Sequence, residues 1–150
     1  MESTTTPLNE AQKRSVSVTM VLVDQALSLC ERLLRQGGEQ GLLYTIQDDL
    51  SAPQKDKLLQ SIQGMRQILD QLEMSFQLTH HVSTLRQLIG GELTYLWTTL
   101  EECASHRLRG YGPVPASLKA NLDPLLVQLI TQIRAMERIM GRQTQVIRVR

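Results

Sequence analysis

The sequence predicts an all-α fold: an antiparallel up-and-down four-helix bundle with an irregular Gly/Pro loop before the last helix. Three observations carry that expectation. Apolar residues recur every three or four positions in four stretches, the period of one buried helix face. Polar, Gly- or Pro-bearing segments separate most of them. Aromatics make up only 3% of the chain, so the core must be built from Leu, Ile, Val and Met, which suits helix-on-helix packing.

Residues 1–8 are polar and read as a disordered tail. The first helix is expected over roughly 9–35, capped by Asn9. Its inner stripe is Val16, Met20, Val23, Leu27, Cys30 and Leu34, widened by Leu22, Ala26, Leu29 and Leu33 into a face for two neighbours. Residues 15–20 also alternate at period two, but the 3.6 period continues through them without a turn residue, which favours helix. Gly37, Gly38 and Gly41 end that helix. A connection follows over 36–50, with a short helical turn expected at Leu42 to Gln47.

Ser51 with Gln54 forms a capping box, and Pro53 suits a first turn, so the second helix is set at 53–78. Leu58, Ile62, Met65, Leu69, Leu72 and Phe76 form its stripe. Gly64 inside it suggests a close helix crossing. The apolar phase shifts across the polar stretch 79–84, which places a turn at 79–82 and a third helix at 83–105. The rival is one long helix through His80 and His81. Leu85, Ile89, Leu93, Leu96, Leu100 and Cys103 are the expected inner residues of the third helix, and Gly90-Gly91 reads as a close approach to a partner helix.

Residues 107–123 carry Gly110, Gly112, Pro113 and Pro115 and cannot form a long helix. A short helix is expected at 116–120. Asp123-Pro124 then reads as a cap and first-turn proline for a final helix over 124–140, with Leu126, Leu129, Ile133, Met136 and Met140 inside and Gly141 closing it. One helical domain over 9–141 and a tail at 142–150 result, and Val146 to Val149 could add an edge strand to a partner.

Composition excludes several classes. Net charge is +1, with −3 in the first half and +4 in the second, so no strong field steers a polyanion. Few aromatics argue against base stacking and against an aromatic-lined pocket. Two cysteines, Cys30 and Cys103, form no disulfide framework. Residues 1–7 have neither a basic start nor an apolar centre, and no apolar run reaches membrane length, so a cytoplasmic setting without membrane contact is expected.

Chemistry is sparse. His80 and His81 point about 100° apart on a helix and cannot share one metal as residues at i and i+4 can. No Glu-x-x-His pair exists for a di-iron bundle. A histidine phosphotransfer domain is also a four-helix bundle, but its basic residue three places after the His is missing: Ser83 and Thr84 stand there. No nucleophile elbow or phosphate loop is present. No catalytic residue, metal site or cofactor is assigned.

The expected function is therefore a non-enzymatic protein-interaction or assembly module, with a homodimer or another protein as partner. Tyr111, in a loop shaped by two Gly and two Pro, is a candidate contact, as are Trp97, Leu22 and Leu29. The competing class is phosphate or nucleic-acid backbone binding through Arg134, Arg138 and Arg142, spaced to form one ridge. Histidine phosphotransfer-type signalling, by fold analogy alone, is third.

Overall fold

Asn9, Ser51 and Thr84 each stand one residue before a helix, and each is followed three residues later by Gln. In the computed structural model, which describes residues 7–141, all three pairs close as capping boxes. The side-chain oxygen of each accepts from the Gln backbone N–H, at 2.9 Å for Asn9, 3.3 Å for Ser51 and 3.1 Å for Thr84. In return the cap's own backbone N–H donates to the Gln side-chain carbonyl. Each box satisfies two donors that a helix start leaves free.

The order is α1 (Glu10–Gln36), β1 (Glu39–Gln40), β2 (Thr45–Ile46), α2 (Ala52–Phe76), α3 (Leu85–Glu102), a 3-10 turn (Leu108–Tyr111) and α4 (Ala116–Ile139). The all-α class and the four main helices stand as expected, with the Gly/Pro segment before the last. The chain divides into two compact units, residues 1–81 and 82–150. Tail residues 1–6 and 142–150, including the Val146 to Val149 segment, lie outside the described residues.

In the first unit α1 and α2 pack as an antiparallel hairpin. Gly37 at the end of α1 lies beside Lys55 near the start of α2, while Arg66 further along α2 reaches back to Asp24, Ser28 and Glu31. Gly37 ends α1 in the left-handed conformation, at φ 72°. The expected helical turn at 42–47 is replaced by a two-stranded hairpin pairing Glu39 with Ile46 and Gln40 with Thr45. Gly38, at φ 112°, turns the chain away from helix, and a Cβ there would meet the Ile46 carbonyl. The Tyr44 ring folds over Gly41, where any larger residue would collide with it. β-branched Thr45 and Ile46 then favour the extended ladder.

In the second unit α3 and α4 form another antiparallel hairpin. Ser105 just past α3 bonds Asp123 near the start of α4, and Leu100 shares a cavity wall with Leu126 and Ile130. Residues 78–84 are non-helical, so the turn between α2 and α3 holds and the single long helix does not. α3 stops at Glu102 rather than 105. The Ala104 N–H has already shifted to the carbonyl three residues back, and the Ser105 N–H goes to the Asp123 carboxylate at 3.0 Å. That use of Asp123 also corrects the last helix. Its carboxylate serves Ser105 rather than capping a new helix, and α4 runs unbroken from Ala116 with Pro124 inside it. Proline keeps a helical φ and gives up one backbone donor there.

The buried apolar residues are Leu27 and Ile62 in the first unit and Leu93, Leu126 and Ile133 in the second. Several residues expected inside are exposed: Leu58, Met65, Leu85, Ile89, Leu96, Leu129 and Met136, with Cys30 and Cys103. A two-helix hairpin buries one stripe per helix, so residues about 100° round stay outside. Gly64 is not at a crossing: a Cβ added there meets nothing within 4 Å. Gly90 is buried, while Gly91 also faces open space.

Candidate functional site: the outer apolar faces

The second hairpin repeats its apolar pattern twice. On α3, Gly90, Leu93, Trp97 and Leu100 form the stripe turned to α4. On α4, Leu122, Leu126, Ile130 and Ile133 answer it. A second seam runs beside each. On α3 it is Leu85, Ile89, Glu92, Leu96, Thr99 and Cys103; on α4 it is Leu125, Leu129, Gln132, Met136 and Ile139. The steps alternate between four and three, the spacing of a helix-packing seam. Every member is exposed.

Both outer seams lie on the same side of the hairpin. Viewed from each helix's N-terminus, the outer seam is turned about 100° anticlockwise from the inner stripe. The helices are antiparallel, so equal turns of the same sense bring both seams to one flank. The result is one continuous apolar face across α3 and α4. The first hairpin shows a related face, where Leu22, Leu29 and Ala26 on α1 and Leu58, Met65 and Ile68 on α2 are all exposed.

The tip of the small β-hairpin adds a different apolar feature. Leu42 is 97% exposed and Leu43 94%, with Tyr44 behind them. Sequence reading missed it because it assigned Leu42 and Leu43 to a helical turn. The outer seams were missed because Leu85, Ile89, Leu96, Cys103, Leu129 and Met136 were placed in the inner stripes; the steps of four and three along Leu125–Ile139 were the available signal.

Polar contacts hold the hairpins rather than build a reaction centre. Arg66 bonds Glu31 and Ser28 across the first hairpin and lies 3.8 Å from Asp24. The hydrogen bond from Arg35, backed by Arg66, keeps the Glu31 carboxyl below its usual range. Lys55 does the same for Asp48. In the second unit the Ser105 N–H and hydroxyl both donate to Asp123, at 3.0 and 2.7 Å, and lower the Asp123 pKa. Beside them is a cavity of about 350 Å³ with an apolar floor of Leu100, Leu126 and Ile130 and with His106 and Arg107 on its wall. The Ser105 hydroxyl is buried and given directly to a carboxylate, with no histidine between them to take its proton. That geometry pins the segment just past α3 to the side of α4.

The expected contact residues fall in different places. Leu22 and Leu29 lie seven residues apart on one face of α1, and both are exposed. Tyr111, in the 3-10 turn, is almost fully exposed. Trp97 lies on the α4-facing stripe of α3 and is partly covered. Arg134 and Arg138 are exposed on α4 with Glu137 between them, and Arg142 lies outside the described residues. His80 and His81 are exposed in the non-helical stretch between α2 and α3. Among the described residues, no group of three or more His, Cys, Asp or Glu is placed to hold a metal ion. No helix among them is long and apolar enough to cross a membrane. Compared with protein family models, curated proteins and solved structures, the chain matches none.

Proposed function

We propose that this chain is a protein-interaction or assembly module that works by docking the outer faces of its helical hairpins onto other helices. One observation carries the reading: each hairpin has a second apolar face, and in the second hairpin that face is laid out in heptad steps on both helices. Exposed apolar surface on this scale marks an interaction site. A hairpin with so few buried side chains also gains stability when such a face is covered. Neutral Gln, such as Gln132 within the outer seam of α4, favours helix without adding charge. Two free, exposed thiols fit a reducing, cytoplasmic setting.

Native mass spectrometry of the gently purified full chain tests this. The wild type is expected to carry a stoichiometric protein companion, either a copy of itself or another chain. Leu22→Glu/Leu29→Glu or Leu129→Glu/Met136→Glu is expected to strip it off at unchanged helicity. A bare 17.0 kDa chain in every case would overturn the reading. Backbone binding of nucleic acid through Arg134 and Arg138 predicts salt-dependent affinity weakened by Arg→Gln. Glu137, set between the two arginines, argues against it.

A further inference from the structure

We draw no further inference here: the strongest candidate, the exposed apolar face presented by the outer seams of α3 and α4, carries nothing beyond the interaction-module reading because nothing in the structure shows what covers it.

Discussion

Leu93 is 3% exposed, the lowest among the buried apolar residues, and it sits on the inner stripe of α3. Truncating it to Ala removes about three carbons from that stripe, a transfer loss of about 2.4 kcal/mol at 0.8 per methylene. A cavity penalty can raise a Leu→Ala change to about 5 kcal/mol where the surroundings are rigid. Here the wall is thin. Trp97, four residues on, is 37% exposed, and only Leu126 and Ile133 are buried with Leu93 among the large apolar residues of this hairpin. Neighbours this close to solvent can move in or admit water, so the cavity penalty stays small. Leu93→Ala is therefore expected to cost about 2–3 kcal/mol. Leu96→Ala, on the outer seam, is expected to cost under about 1 kcal/mol in dilute protein and more as concentration rises. The chain holds a single tryptophan, and it lies in this hairpin, so urea unfolding followed by Trp97 fluorescence reads this unit alone. A loss below about 1 kcal/mol for Leu93→Ala, or equal losses for both variants at every concentration, would refute the assignment of inner and outer faces.

Four further outcomes are expected. Gly91→Ala and Gly64→Ala place a methyl in open space within a helix, so each is expected to stabilise its hairpin by about 1 kcal/mol in urea melts. Gly38→Ala forces a positive φ and sets a methyl against the Ile46 carbonyl, so it is expected to lower the melting temperature and weaken amide protection at Thr45 and Ile46. The Glu31, Asp48 and Asp123 pKa values are lowered by their partners, so their stabilisation is in place above the ordinary carboxylate range. It is lost as pH falls through the lowered values, which acid titration of stability should show. Asp123→Asn is expected to flatten that acid dependence for Trp97 fluorescence more than for the first hairpin.

The helix starts were the most legible part of the sequence because a cap is a local device. Asn9 and the Ser51–Gln54 box need only three residues of chain, and both form as read. The same box at Thr84–Gln87 starts α3 at Leu85, two residues beyond the start that the shift in apolar phase alone marks. Long-range effects were illegible. Nothing near Asp123 in sequence reveals that Ser105, eighteen residues earlier, will claim its carboxylate and let α4 run through Pro124. The periodicity gave the right helices but could not divide inner from outer residues. In α4, Leu125 and Leu126 are equally apolar, and which one is buried depends on where α3 lies. The candidate site follows from that division: the residues left over after each hairpin closes are the ones available to a partner.

The most direct measurement of the central claim is sedimentation equilibrium of the wild-type chain beside Leu129→Glu/Met136→Glu over a wide concentration range. If the outer face of α3 and α4 is an interface, the gently purified wild type sediments above 17.0 kDa, with a copy of itself or with a companion chain, while the variant stays at 17.0 kDa with equal helicity. Superimposable curves at 17.0 kDa for both proteins would contradict it.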